Sequence, residues 1–310
     1  MDITKFTYAD NSIYFIWLLA KSWLFKQLTR NSTNLFLRGQ DIISILPQIS
    51  GNHEIITTKL IESFAQNGYD DFLIDIGANI GLISCQSGQK FKKVHMYEPN
   101  PICCCILEAN SLLSLSHEKF EIHNFGLGDE NSFVKLTIPR NNWGGAYVQS
   151  SKNCYSSEIL ANKDGYRDFD SENYFAIDVS IKNAKDHLSK IFSELLTSDL
   201  SCGVIKIDVE GYELVILEGI ASALPEKTKV QVVFESLDSE FNVNKVLEMF
   251  GDRRATAYIL SENFPWNRHR VKLPNFIKVL YVMFKVKVKT VLKPLTVGSY
   301  CKGTLVIEVD

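Results

Sequence analysis

Leu73 to Ser84 reads LIDIGANIGLIS. An apolar run reaches Asp75, the chain passes through Gly77, Asn79 and Gly81, and apolar residues resume at Leu82 and Ile83. This is a strand running into a tight turn that opens a helix. Glycines in such a turn let the backbone approach a ligand and present amide groups at the start of a helix. The spacing is D-x-G-x-N-x-G rather than the G-x-G-x-x-G of dinucleotide binders, and Asp75 puts a carboxylate where a pyrophosphate would have to come close. A carboxylate suits a ligand with an ammonium group. S-adenosylmethionine has an amino-acid end and a sulfonium, and no phosphate.

Outward from this turn, short runs rich in Val and Ile alternate with segments of helical period: Phe72–Ile76, Val94–Tyr97, Phe120–Asn124, Val204–Ile207, Val230–Phe234, Ala255–Leu260 and Thr304–Val309. Continuous apolar strands with helical spacers predict a parallel sheet covered on both faces, in one doubly wound α/β domain. The second run ends at Glu98 in YEPNP, 23 positions after Asp75. An acid at that distance, at the tip of the second strand, can accept both ribose hydroxyl hydrogens. Asn100 and Pro101 then start a helix whose apolar positions are Ile102, Cys105, Ile106, Ala109, Leu112 and Leu113. A polar stretch from Asn141 to Asn173 reads as an inserted loop or hairpin region.

Cys202 to Gly219 reads CGVIKIDVEGYELVILEG. Strand alternation puts Lys206 and Asp208 on one side of the sheet, with Glu210 at the turn. Gly211 opens the next helix, and Gly219 is expected as its C-cap. Ionisable groups at the carboxyl end of a central strand face the ligand crevice of an open α/β sheet. The bland reading is a Lys206–Asp208 ion pair that satisfies itself. Glu235, ending the following strand, would add a third carboxylate beside Asp208 and Glu210. Three acids can serve as a base, as a clamp for a substrate hydroxyl, or as a divalent-metal site, which the sequence permits but does not require.

Through LIDIGANIG, YEPNP, GLGDE at Gly126 to Glu130 and VIKIDVEGYELVILEG, the chain resembles the FkbM family of S-adenosylmethionine-dependent methyltransferases over about Phe72 to Leu260. The resemblance implies the class I methyltransferase (Rossmann-like) fold, a seven-stranded, mostly parallel sheet whose last two strands form a hairpin. It implies Asp75, Gly77, Asn79 and Gly81 around the methionine and sulfonium, Glu98 on the ribose, and Asn124 and Gly126 near the adenine. Lys206, Asp208 and Glu210 would sit beside the reactive methyl. Family members typically methylate hydroxyls of sugars or secondary metabolites. Asp208 is the first choice for base, with Lys206 orienting it and Glu210 holding a neighbouring hydroxyl; His95 and His123 are alternatives. The family's Leu-Asp-Asp type segment is replaced by IKNAKDHL, which keeps Asp186.

The 310 residues include 33 basic and 36 acidic side chains, a formal charge of −3. The balance is uneven. Between Glu262 and Glu308 there is no acid, yet nine lysines and arginines. Residues 1–60 read as a helical extension and 61–310 as the methyltransferase domain, with 261–302 a basic insertion before the last strand. That insertion is expected to cap the site or touch a membrane surface, bringing in an anionic glycan or lipid-linked acceptor. Seven cysteines without a C-x-x-C pair fit a reducing cytoplasm, with peripheral contact at the inner face of the membrane. Ile13 to Ala20 is apolar but too short for a span. A nicotinamide-dependent oxidoreductase competes weakly, since Tyr281 and Lys285 are its only Y-x-x-x-K signal. A non-catalytic binder of glycan, lipid or nucleic acid leaves Lys206 to Glu210 unexplained.

Overall fold

The structure is a computed structural model that describes residues 12–39, 41–150, 153, 172–236, 242–263, 289–295 and 302–310. The described residues form twelve strands: β1 Phe72–Ile76, β2 Lys93–Tyr97, β3 Phe120–His123, β4 Gly126–Gly128, β5 Ser132–Pro139, β6 Tyr147–Val148, β7 Tyr174–Asn183, β8 Cys202–Ile207, β9 Lys229–Ser236, β10 Ala255–Asn263, β11 Lys289–Pro294 and β12 Gly303–Val309. The main sheet runs β11-β10-β12-β9-β8-β1-β2-β3. From β3 to β9 neighbours are parallel; β12 is antiparallel to both β9 and β10.

All seven expected strands are present in the order expected of a class I methyltransferase. An eighth, β11, extends the edge by pairing antiparallel with β10. It comes from the basic insertion 261–302, most of which lies outside the described residues.

Every residue of β1 is buried, because helices cover both faces. On one face Phe72, Ile74, Ile76, Ile205 and Ile207 pack with Leu188, Ile191 and Phe192 of the helix Ala184–Thr197 and Ile216 and Ile220 of the helix Glu213–Ala223. On the other, Leu73, Val94, Met96 and Val204 meet Ile61, Ala65 and Leu107. The first of these faces corrects one expectation. Gly219 is no C-cap but lies inside its helix, where an added Cβ would stand 2.5 Å from the Cβ of Ala184, so its bare backbone sets the close approach of the two helices.

The helix Pro101–Ser114 begins as expected, with the Asn100 side chain accepting from the Ile102 amide. Its buried face is different. Cys103, Leu107, Asn110 and Ser111 point inward, while Cys105, Ile102, Leu112 and Leu113 are exposed. The apolar pattern misled because Asn110 is a core residue: its amide donates to the carbonyls of Ile80 (2.8 Å) and Phe36 (3.1 Å), and its Oδ1 accepts from the Phe36 amide (2.6 Å). A buried amide so satisfied is inexpensive.

Among the described residues before β1 are three helices, α1 Ser12–Leu28, α2 Ile42–Ser50 and α3 Ile55–Gln66. Asp41 caps α2 through the Ile43 amide. The boundary drawn at residue 60 falls inside α3, which packs on the core through Ile61 and Ala65.

A second sheet, β4-β7-β5-β6, stands over the strand tips. Its β5–β7 pairing is antiparallel from Ser132↔Ile181 to Pro139↔Tyr174. The polar stretch does contribute a hairpin strand, β6, which pairs with Leu136 and Thr137 of β5.

Candidate active site

The site is built where β1 and β8 lie side by side. Their register pairs Asp75 with Lys206. Residues so paired on parallel strands share a face. Lys206 Nζ lies 3.2 Å from Asp75 Oδ1 and 3.3 Å from Asp208 Oδ2, and it donates to the Gly77 carbonyl at 3.2 Å. The Ser84 hydroxyl donates to the other oxygen of Asp75. Burial opposes the charge on Lys206, but Asp75, Asp208 and Glu54 outweigh it and raise the ammonium above its usual range. Asp75 is fully buried, whereas the Asp208 side chain keeps 40% of its surface. The ion pair is therefore a bridge from a buried acid to an accessible one.

Asp208 opens onto a cavity of about 390 Å³ at the carboxyl ends of the central strands, roofed by the second sheet and closed by Ile43 of α2 and by His53 and Glu54 between α2 and α3. That is the crevice where an open α/β sheet binds its ligand, and its volume is within the usual range for small-molecule sites.

Glu98 stands in its wall. One carboxylate oxygen accepts from the Asn79 amide (2.9 Å) and the other from the Asn100 amide (2.7 Å). Burial pushes the Glu98 carboxyl up to about 7, although both amides favour its ionised form.

Three non-glycine residues of the cavity wall hold left-handed backbone: Glu54 (φ 44°), Asn79 (φ 51°) and Glu210 (φ 54°). Such strain gathers at functional sites. Gly77 at φ +84° is required for another reason, since a Cβ there would lie 1.9 Å from the Asp208 carbonyl oxygen. The first turn and the tip of β8 touch backbone to backbone, and the Asp208 amide donates to the Ile76 carbonyl (2.9 Å).

The lining is strongly acidic. Glu54, Glu98, Asp129, Glu130, Asp208, Glu210 and Glu235 face it, against Lys206 as the single lysine or arginine among its described lining residues. His53 lies 3.3 Å from Glu54. Its hydrogen bond, with Lys206 nearby, overcomes burial and holds the Glu54 carboxyl down at about 2. Such a field favours a cation and opposes a polyphosphate.

A Methyltransferase FkbM domain model matches residues 75–260. The chain belongs to the FkbM methyltransferase family. Methyltransferase sdnD of Sordaria araneosa is 29% identical over 177 residues, 51% of this chain and 66% of that relative, so the match spans just under two thirds of its length. Among solved structures, Methyltransferase FkbM from Methylobacillus flagellatus is similar at 14% identity and a TM-score of 0.33, over 80% of this chain and 57% of that one. The O-methyltransferase TomG from Streptomyces achromogenes, solved in complex with SAM, is similar at 12% identity and a TM-score of 0.38, over 82% of this chain and 79% of that one.

Of the residues expected from the FkbM resemblance, Gly77, Asn79, Glu98, Gly126, Lys206, Asp208 and Glu210 line the cavity, as does Glu235. Asp75 does not; it sits behind Lys206, because the strand register hands its charge to that ammonium. Gly81 faces Cys85 and Leu107. Asn124 also stands outside, where its amide donates to the carbonyls of Glu98 (2.9 Å) and Pro99 (3.4 Å) and shapes the YEPNP turn. Asp186 lies in the first turn of its helix, where its amide donates to Asn183 Oδ1 (2.9 Å), and is not in the cavity.

His95 and His123 do not line the cavity. His123 stacks on Tyr97 and on His95, with facing nitrogens 3.3 Å apart, and burial pushes His95 and His123 down to about 3 and about 4. Among the described residues, the ligand atoms gathered within 4.8 Å of one another belong to His95, Glu121 and His123, not to Asp208, Glu210 and Glu235. The carboxylates of the cavity are spread around its wall rather than converged on a point. Tyr281 and Lys285 lie outside the described residues. Sequence reasoning missed His53 and Glu54, which reach the site from the short link between α2 and α3 and carry no motif. It also missed the roof, although Val134, Leu136 and Ile138 alternate with Lys135 and Thr137 as a half-buried strand should.

Proposed function

We propose that the protein transfers a methyl group from S-adenosylmethionine to a hydroxyl of a sugar or glycan acceptor. The observation that carries this reading is the acidic cavity at the strand tips, with one buried ammonium and a glutamate fixed by two backbone amides. Bound there, the cofactor supplies an electrophilic methyl on a sulfonium. Glu98 accepts from the ribose hydroxyls with the lone pairs its two amides leave free. Lys206 fixes Asp208, which takes the proton of the acceptor hydroxyl as its oxygen attacks. Glu210 accepts from a neighbouring hydroxyl. A nicotinamide dinucleotide would bring a pyrophosphate into a field of carboxylates, and that disfavours the oxidoreductase reading.

The same field selects the acceptor. Its reacting part is neutral or cationic, and the nine basic residues of 261–302 are proposed, on their charge alone, to attract any anionic part. Transfer of labelled methyl from S-adenosylmethionine to neutral, amino-substituted and uronic-acid oligosaccharides tests this. Label is expected on an ether oxygen of the first two; label found only as a carboxylate methyl ester or on nitrogen would overturn the assignment of a hydroxyl acceptor.

Glu98 also predicts a pH dependence. Its ionised form accepts both ribose hydroxyls, and its protonated form loses one acceptor. Affinity for S-adenosylmethionine is therefore expected to rise from about pH 5.5, level off above about pH 8, and become flat in Glu98→Gln. Titration calorimetry across that range checks it.

A further inference from the structure

Residues 11–40 contain Lys21, Lys26, Arg30 and Arg38 and no acid, in a chain whose net charge is negative. The same segment is apolar where the structure exposes it. Every residue from Ala20 to Leu28 in α1 is exposed, Trp23 by 65% and Phe25 by 58%. Phe36 follows, then Ile45 and Ile49 of α2 and Ile55 and Ile56 at the start of α3. Of the 13 exposed large hydrophobic side chains among the described residues, nine lie between Trp23 and Ile56. So dense a patch on one segment marks an interaction surface.

We propose that α1, with the exposed apolar side chains of α2 and α3, docks the protein on an anionic lipid surface. Two observations select lipid over a protein groove. Aromatic and leucine side chains interleaved with lysines suit the headgroup boundary, where the stems lie among acyl chains and the ammonium groups reach phosphates. Lys21, Lys26 and Arg30, with no acid between residues 11 and 40, match an anionic headgroup layer; Arg38 is taken up by Asp41. No helix among the described residues is long and apolar enough to cross a membrane.

Docking orients the cavity. The Arg38 guanidinium lies 4.0 Å over the Trp143 ring and 2.8 Å from Asp41, and Asp41 accepts from the Trp143 amide (3.3 Å). Trp143 and Ile43 line the cavity. The segment that meets lipid is thus bonded to the cavity rim, which suits an acceptor carried on a lipid. Docking itself stands independently of the methyl-transfer reading.

The full chain is sedimented with vesicles of phosphatidylcholine alone and of phosphatidylcholine with about 30% phosphatidylglycerol. Binding is expected to the anionic vesicles only. Lys21→Glu/Lys26→Glu is expected to weaken it roughly tenfold or more, and Trp23→Ser/Phe25→Ser to a similar extent. Lys285→Glu/Lys287→Glu, in the basic insertion, is expected to leave most of it. S-adenosylmethionine affinity by calorimetry reads folding and the methyl-transfer site in each variant. Full vesicle binding by Trp23→Ser/Phe25→Ser would overturn the proposal. So would a dimer of the native chain that Trp23→Ser/Phe25→Ser dissolves while vesicles are ignored, because a second copy would then be the occupant.

Discussion

Asp208→Asn is expected to lower methyl transfer by roughly a hundred- to ten-thousandfold, the span associated with losing a positioned proton acceptor. The amide keeps the shape of the side chain and its contact with Lys206 but cannot take a proton. Asp208 has 40% of its side chain open to the cavity, so it is available to a substrate as Asp75, fully buried, is not. Its backbone position is fixed by the Ile76 carbonyl and by contact with Gly77, so the substitution leaves the loop in place. Affinity for S-adenosylmethionine is accordingly expected to stay within about threefold, a free-energy change of well under 1 kcal/mol. Single-turnover rates measured beside calorimetric affinities separate the two. Turnover close to that of the unsubstituted protein would assign the proton to another acceptor in the cavity.

The second large effect concerns stability. Lys206→Met removes the ammonium that Asp75 and Asp208 share. Asp208 can turn to water, but Asp75 is left buried with the Ser84 hydroxyl as its remaining partner of those described above. Removing one member of a buried pair costs about 3–5 kcal/mol, mostly because the other charge is stranded. The urea midpoint of Lys206→Met is expected to fall by an amount corresponding to that loss at an unchanged slope. Asp75→Asn in the same chain should restore part of it, since an amide tolerates that site without a cation. If Lys206→Met alone unfolds near the native midpoint, the Lys206–Asp75 pair does not carry that part of the stability.

The strands of the main sheet were legible because each is a short apolar run bounded by turn residues, and β1 coincides with its expected range, Phe72–Ile76. What the residues could not convey was register. LIDIGANIG and VIKIDVEG each look like an independent ligand loop, yet pairing β1 to β8 brings Asp75 onto Lys206 and withdraws it from the cavity. That long-range event decides which acid meets a ligand's positive charge and which merely holds a lysine. Gly219 failed as a C-cap for a related reason: its place was set by Ala184 on another helix. His53 and Glu54 were invisible because their role comes from where α2 and α3 pack, not from any local pattern. Asn110 shows the converse. Its polarity spoiled an apolar stripe, but three hydrogen bonds earn it a place in the core.

The central claim is that an acidic cavity at the strand tips takes a sulfonium nucleoside and not a phosphate-bearing one. Calorimetric titration of the full chain with S-adenosylmethionine, S-adenosylhomocysteine, NADH and a short oligonucleotide tests it most directly. The account predicts one site for each of the first two ligands, weakened for both by Glu98→Gln, and no heat from NADH or the oligonucleotide. Stoichiometric NADH binding with no response to S-adenosylmethionine would contradict it.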